Sequence, residues 1–509
     1  MSTTTRTDRT ATEDHDAHAW GGLDDATARG LLEEALAAAT GAGVTFADVR
    51  LVEAEEERLY TDLRGELDER REHNAGLGVR VLRDGVWGFA SAPLDGPGTA
   101  QAVARRAVAV ATAAAGTAPV VLAPREPTSG TWAVPVDVDP FAVSAGERHD
   151  LLQRVVRAAS APGLVRSVTA GLNAKRQHKH FADSEGSRQA QHLVETGAML
   201  LAVAADERGA QRRSFPNSFH GNTAAAGWEY VLGLGLEDEA TRVGEEAVAL
   251  LGAPQAPGGT ADVVVGPAQL ALQIHESVGH ALELDRILGD ETNFAGRSWV
   301  QAEDIGMLRY GSPAMTVVAD PTVPGTRGSF AFDDEGTPAS RHVLVENGVL
   351  RDVLSSRDAV ARSGSSAGSR SSTGAARADG WAWLPVCFAT NVYLEPGEGS
   401  LDELLDRMGD GYYADDNRTW SIDDRRMAFQ FGTEAAWEVK NGKRGRLLRG
   451  FSYGGLTPRF WGSLEAVAGP EEFKAYGMPC GKGEPKQWGF LGHGASPSLF
   501  RGISTGVAR

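Results

Sequence analysis

His275 and His280 lie five residues apart in Gln273-Ile274-His275-Glu276-Ser277-Val278-Gly279-His280-Ala281-Leu282-Glu283, and no other feature limits the fold as tightly. Ile274, Val278, Ala281, Leu282 and Leu284 make the segment a largely buried helix. Two imidazoles and a carboxylate are costly in such a place without partners. On a regular α-helix five residues turn the chain by about 500°, which sets the imidazoles about 140° apart. To meet on one partner they need a π-bulge, or a break at Gly279, where distortion costs least.

Composition narrows the class. The 509 residues carry 50 Lys and Arg against 68 Asp and Glu, a formal net charge of −18. So acidic a chain repels phosphate, which argues against nucleic acid and against anionic membranes. With 42% hydrophobic residues it can bury a large core, and two cysteines suit a reducing compartment without a disulfide scaffold. The first 20 residues lack the apolar stretch of a signal peptide and read as a disordered tail. The longest uncharged run, Ala107–Pro124, contains Pro119 and reads as a buried helix followed by a turn. These features predict a soluble cytoplasmic protein.

The expected fold class is α+β, with a helix-and-hairpin N-terminal half and a strand-rich C-terminal half. A helix follows Asp24-Asp25 and stops near Gly41, and Val44–Leu63 alternates as a strand. A hairpin turns at Asp84-Gly85, and 98–115 is an Ala-rich helix. Prolines between 119 and 140 mark a linker, so the 21–255 region breaks near 125–140. A helix capped by Ser144 and Glu147, strands near 165–172, 177–183 and 198–206, and a helix over 235–251 follow. Gly252–Gly259 then opens a second region, 256–509, with hairpins at Asn347-Gly348 and Asn441-Gly442 and a low-complexity flexible loop at 364–376.

His275-Glu276-x-x-x-His280 is the zinc-peptidase pattern H-E-x-x-H with one residue added. In that pattern both imidazoles face one ion and the Glu reaches a metal-bound water. A chance surface helix is the plain alternative, which the apolar flanks oppose. For a third ligand Cys480 stands in Met478-Pro-Cys-Gly-Lys-Gly483, a loop whose Gly and Pro content permits close approach, although a small inert hydrophobe would also fit there. Cys387 sits in an apolar run and reads as core.

These motifs, with Gly328-Ser-Phe-Ala-Phe-Asp-Asp-Glu-Gly336, Gly78-Leu-Gly-Val-Arg-Val, Asn391-Val-Tyr-Leu-Glu-Pro-Gly397 and Glu434-Ala-Ala-Trp-Glu-Val-Lys, resemble the TldD/PmbA family of metallopeptidases. The resemblance runs from about residue 21 to the C-terminus. TldD-type subunits keep the H-E-x-x-x-H and Cys ligands and PmbA (TldE) types lack them, so the chain resembles the catalytic subunit. Carried over, the ligands are His275, His280 and Cys480, with Glu276 as general base. The implied cofactor is one Zn2+ per chain, since a thiolate suits zinc better than magnesium or calcium. Glu276 would take a proton from an attacking water and pass it to the leaving amine. The implied partners are a flexible peptide substrate and a PmbA/TldE-type subunit, or a second copy of the chain. Alternatives are a non-catalytic peptide-binding subunit with a structural metal, or a metal-dependent enzyme of peptide natural-product maturation. The sequence after Cys480-Gly-Lys482 departs from the family's usual continuation, which bears on the local loop and not on the ligand.

Other residues read more plainly. His178 and His180 alternate with Lys175, Arg176 and Lys179 and are expected at the surface. His493, in Gly492-His-Gly494, is close enough to Cys480 in sequence to lie near the site, but reads as an ordinary loop histidine. Asp333-Asp334-Glu335-Gly336 reads either as a solvated acidic turn or as a segment supporting the site, and Arg105-Arg106 and Lys443-Arg444 as solvated pairs.

Overall fold

Helix α1 (Asp25–Thr40) starts where the Asp24 carboxylate accepts from the Thr27 N–H and ends at Gly41, the limits the sequence predicts. A computed structural model of the chain describes residues 22–114, 119–218, 220–364 and 371–507. The expected tail at 1–20 lies outside them, as do residues 365–370 of the low-complexity run. The described end of that run is packed: Ala375 and Ala376 are fully buried, and Thr373 Oγ1 accepts from the Ser355 N–H at 2.7 Å.

The first half builds on strands that are antiparallel except for β4: β1 (Phe46–Asp62), β2 (Leu67–Arg83), β3 (Val86–Pro93), β4 (Ser129–Ala133), β5 (Val165–Asp183), β6 (Arg188–Asp206), β7 (Gly209–Phe215) and β8 (Asn222–Ala224). Among the described residues they form one sheet in the order β3-β2-β1-β5-β6-β4, with β7 and β8 also on β6. Helix α2 (Thr99–Ala113) buries Ala100, Ala104, Ala107 and Ala111 beside α1 and the β1–β3 face. Contact is so close at Gly88 that a Cβ there would lie 2.1 Å from the Ala107 carbonyl oxygen. Helices α3 (Ala145–Ser160), α4 (Trp228–Gly233) and α5 (Leu236–Gly252) cover β5 and β6 through Leu152, Val156, Ala240 and Val243. The Ser144–Glu147 capping box is present.

Three expectations are corrected in this half. The two strands expected at 165–172 and 177–183 are one, because the polar residues between them are satisfied inside the sheet; Arg176 Nη2, for example, lies 2.6 Å from Glu55 Oε2 on β1. For the same reason His180 is buried and not at the surface: β5 is flanked by β1 and β6, and His178 packs edge-on against His192 with ring centroids 4.3 Å apart. Within the proline-rich linker, proline-free Ser129–Ala133 joins β6 in parallel as an edge strand.

The second half is strand-rich, as expected. One sheet orders β16 (Gly411–Ile422), β9 (Gly259–Val265), β23 (Ser498–Val507), β19 (Phe451–Leu456), β17 (Ala428–Lys440) and β18 (Lys443–Leu448), with β20 (Leu464–Val467) on β23. The other orders β12 (Val349–Leu350), β11 (His342–Glu346), β10 (Val317–Ala319), β15 (Asn391–Leu394), β22 (Gln487–Ala495) and β21 (Lys474–Lys482). A short ribbon pairs β13 (Ala376–Arg377) with β14 (Val386–Cys387). Between the larger sheets runs helix α6 (Pro267–Ile274), entirely buried, with Pro267 pre-setting its first turn. Leu270, Ile274, Val278 and Leu282 belong to the largest apolar cluster. Burying Ile274 and Val278 contributes roughly 1.5–3 kcal/mol each.

Asp333, Asp334 and Glu335 are buried, which corrects the solvated-turn expectation. Glu335 lies 3.0 Å from Arg80 Nη1, while Arg80 Nη2 lies 2.6 Å from Asp48, and Asp334 pairs with Lys179 at 2.5 Å. The acidic run therefore clamps the second half onto β1, β2 and β5.

Candidate metal centre

Helix α6 does not stop at Ile274 but widens. His275–Gly279 form one π-helical turn in which the His280 N–H donates to the His275 carbonyl, and His280–Leu282 then tighten into a 3-10 turn. The five-residue spacing is absorbed by the wide turn. Gly279 keeps a helical backbone (φ −51°, ψ −64°), so no break occurs there. Carbonyls exposed by the irregular turns find donors: Tyr310 Oη serves Ser277, and Ser298 Oγ serves Ala281 at 2.6 Å. Gln273 Nε2, one turn earlier, and Trp461 Nε1, from outside the helix, both donate to Ser277 Oγ.

The widened turn brings the imidazoles of His275 and His280 to 4.4 Å between ring centroids. Cys480 on β21 completes the group, with Sγ 3.2 Å from His280 Nε2. One ligand atom from each of the three residues lies within 4.8 Å of the others. Cys480 stands on a strand rather than in the expected loop, paired with Gly489 of β22. Cys387 is buried core, and both cysteines are free thiols.

Hydrogen bonds behind the imidazoles decide which nitrogens face the group. The Val392 carbonyl can only accept, so the proton of His493 sits on Nδ1, 3.2 Å away. His493 Nε2 is then an acceptor for the His275 Nδ1–H at 2.8 Å, and the lone pair of His275 is on Nε2. Glu283 does the same for His280, whose Nδ1 lies 3.1 Å from both carboxylate oxygens. Glu283 is held in turn by Lys482 at 3.0 Å and Arg286 at 3.2 Å. Burial alone would raise its carboxyl pKa, yet these cations keep it well below the usual range. Burial also holds both candidate-ligand imidazoles below the ordinary histidine value, His275 further than His280, and takes His493 to about 3. The three rings are neutral at pH 7, the form that offers lone pairs. The metal-free thiol of Cys480 is pushed up to about 12 by burial and nearby carboxylates. Such a mixed set of nitrogen and sulfur donors matches a borderline-soft divalent cation.

Glu276 is also buried, its Oε2 2.6 Å from Nη1 of Arg426 in the β16–β17 turn. Four members of this constellation, Glu283, Lys482, His493 and Arg426, received no role from the sequence. His493 is not a loop histidine but lies on β22; its glycine neighbours are the available signal, because a Cβ at Gly492 would strike Asn391 Oδ1 at 2.1 Å and one at Gly494 would strike Phe473 at 2.3 Å. Arg426 lies 150 residues from Glu276 in a charged run without a distinguishing pattern.

Comparison with known proteins gives the family of the chain. Family models described as PmbA/TldA metallopeptidase domain 1, central domain and C-terminal domain match residues 47–111, 138–253 and 258–499. The chain belongs to the PmbA/TldD family. A protein named metalloprotease from Methanothermobacter thermautotrophicus is 31% identical, covering 82% of this chain and 86% of its own length. A zinc metalloprotease TldD homolog from Saccharolobus solfataricus is 25% identical over 43% of this chain and 45% of its own. The crystal structure of TldE from Thermococcus kodakarensis superposes with a TM-score of 0.73 over 93% of this chain and 99% of that one, at 15% identity, a likeness of fold. Among the described residues no helix is long and apolar enough to cross a membrane.

Proposed function

We propose that this PmbA/TldD-family chain is a zinc-dependent peptidase of the TldD type, with His275, His280 and Cys480 holding one zinc and Glu276 acting as general base. The supporting observation is the convergence of two outward-facing Nε2 lone pairs and a thiol, each imidazole fixed from behind by an acceptor. A structural site would be closed by a fourth protein ligand. No fourth His, Cys, Asp or Glu joins this group among the described residues. Bound there, zinc supplies a Lewis acid for the scissile carbonyl. Glu276 takes a proton from the attacking water and returns it to the leaving amine. His493 and Glu283 keep the ligand imidazoles in the tautomer that coordinates. The substrate in this reading is an unfolded peptide, and the second subunit is a PmbA/TldE-type chain or another copy.

Elemental mass spectrometry on the wild type beside Cys480→Ala and His275→Ala tests the ligand set. About one zinc per chain, lost in both variants, supports it. A metal-free wild type, purified without chelator, removes it. Glu276→Gln is expected to keep the zinc and lose hydrolysis of an unstructured peptide.

A further inference from the structure

The pairing of Glu276 with Arg426 puts a second cation in the candidate site, and its geometry is unusual in two respects. Arg426 has φ +61°, a left-handed conformation that L side chains adopt at a cost of about 1 kcal/mol or more. The surroundings enforce it: Asp423 Oδ1 accepts from the Arg425 and Met427 N–H groups at 3.1 and 2.8 Å, and Thr457 Oγ1 donates to the Arg426 carbonyl at 2.7 Å. In addition, the side chain, 12% exposed, does not use all its donors. Nη1 serves Glu276 and Nη2 reaches the Ala295 carbonyl at 3.4 Å, but Nε meets no acceptor among the described residues. A strained backbone that delivers a cation with spare donors to the proposed base points to a role beyond holding that base.

We infer that Arg426 is an oxyanion-binding catalytic residue, which pairs with Glu276 in the resting site and with the anionic oxygen of the substrate during reaction. The inference rests on the peptidase reading above. Charge conservation motivates it. As the water oxygen bonds to the scissile carbon, its proton goes to a Glu276 oxygen, and the carbonyl π pair goes to the carbonyl oxygen. The negative charge thus leaves Glu276 and reappears on the substrate within the same pocket. The resting ion pair is lost as the carboxyl becomes neutral, and the guanidinium, already desolvated, follows the charge. Proton return to the amine and C–N cleavage re-ionise Glu276 and restore the pair. A buried donor aimed where charge develops acts on the transition state, and losing one costs typically 10²–10³-fold in kcat.

The test uses zinc-loaded, full-length protein in two arms. In the first, hydrolysis of an unstructured fluorogenic peptide pool is compared for wild type, Arg426→Lys and Arg426→Ala, with zinc content measured alongside. Arg426→Ala is expected to keep its zinc, to lose about 100-fold or more in kcat with KM within about threefold, and to recover partly with millimolar guanidinium. The second arm removes any role exerted through the base. In a Glu276→Gln background, binding of an alanine phosphinic pseudo-tetrapeptide, whose tetrahedral phosphinate stands for the anionic oxygen, is compared with and without Arg426→Ala. At least tenfold weaker binding without the arginine supports the assignment. Equal binding in the two backgrounds makes Arg426 only a positioning residue for Glu276 and overturns the inference. So does an unchanged kcat, or a loss confined to KM. A zinc-loaded wild type that hydrolyses nothing overturns the peptidase reading instead, and this inference falls with it.

Discussion

Lys482 Nζ lies 3.0 Å from Glu283 Oε2 with both side chains fully buried, so the strand that carries Cys480 is tied by an ion pair to the carboxylate that orients His280. Lys482 also reaches Asp285 at 2.8 Å and the Cys387 carbonyl. Of these carboxylates, burial lifts Asp285 to about 6.

Removing the amine leaves Asp285 without its ion-pair partner and Glu283 with Arg286 alone in the core. Lys482→Met should therefore destabilise the fold by about 3–5 kcal/mol, read as a lower midpoint in chemical denaturation. Adding Glu283→Gln should cost less than the sum of the two single changes, since the Lys482–Glu283 pair is lost only once. Strict additivity would contradict the coupling.

His493 is expected to matter for metal affinity more than for stability. His493→Phe removes the acceptor behind His275 Nδ1 and should weaken zinc binding by about 10–100-fold in a chelator competition. His493→Gln, which can still accept, should fall between. An unchanged affinity would show that the His275 tautomer needs no outside acceptor.

Proton release gives an independent check on the thiol. With Cys480 raised to about 12 and both imidazoles already neutral, metal binding must expel one proton, from sulfur. Affinity should then rise about tenfold per pH unit between roughly pH 7 and 9, and titration calorimetry in buffers of different ionisation enthalpy should return about one proton per zinc. No proton release would mean that Cys480 is not a ligand.

The edge-on histidines of the first sheet set an acid limit on stability. Burial lowers His178 to about 4 and depresses His180 and His192. Between pH 6.5 and 4 the unfolded chain binds more protons than the native one, so unfolding free energy rises with pH. Their contribution is present above pH 6.5 and lost as pH falls below it. Urea midpoints from pH 7 to 5 should decline, and less steeply in His192→Gln.

Gly279 is not where the helix gives way. A Cβ there meets Ala389 at 3.5 Å and His493 at 3.7 Å, which are ordinary contacts. Gly279→Ala should thus keep its metal and gain up to about 1 kcal/mol of stability from helix propensity. A loss above about 2 kcal/mol in thermal unfolding would show that the π turn needs the glycine.

Signals confined to a few consecutive residues were legible in the sequence. The Ser144–Glu147 box, the Asp84-Gly85 and Asn441-Gly442 hairpins and the distorted turn after His275 depend on local spacing, and each appears where expected. Misreadings arose where tertiary partners override local polarity. Asn173–Arg176 reads as an interruption because charge within a strand normally means exposure, but Glu55 across the β1–β5 ladder neutralises Arg176. The acidic run at Asp333 is buried because Arg80 and Lys179 come from strands more than 150 residues away. His493 and Arg426 are supplied to the centre from β22 and the β16–β17 turn, a distance no single-segment pattern spans.

The wide turn at His275–Gly279 also acts as a phase shifter. Relative to a continuous α-helix it inserts one residue, about 100° of rotation, between the part of the helix upstream of His275 and the part downstream of His280. Leu270 and Ile274 before it and Leu282 after it reach the same apolar cluster across that insertion. Deleting one residue between the histidines would create the familiar four-residue spacing, yet it would turn the upstream apolar residues away from their neighbours. The odd spacing is thus a property of the core as much as of the metal centre, and neither can revert to a regular helix without the other.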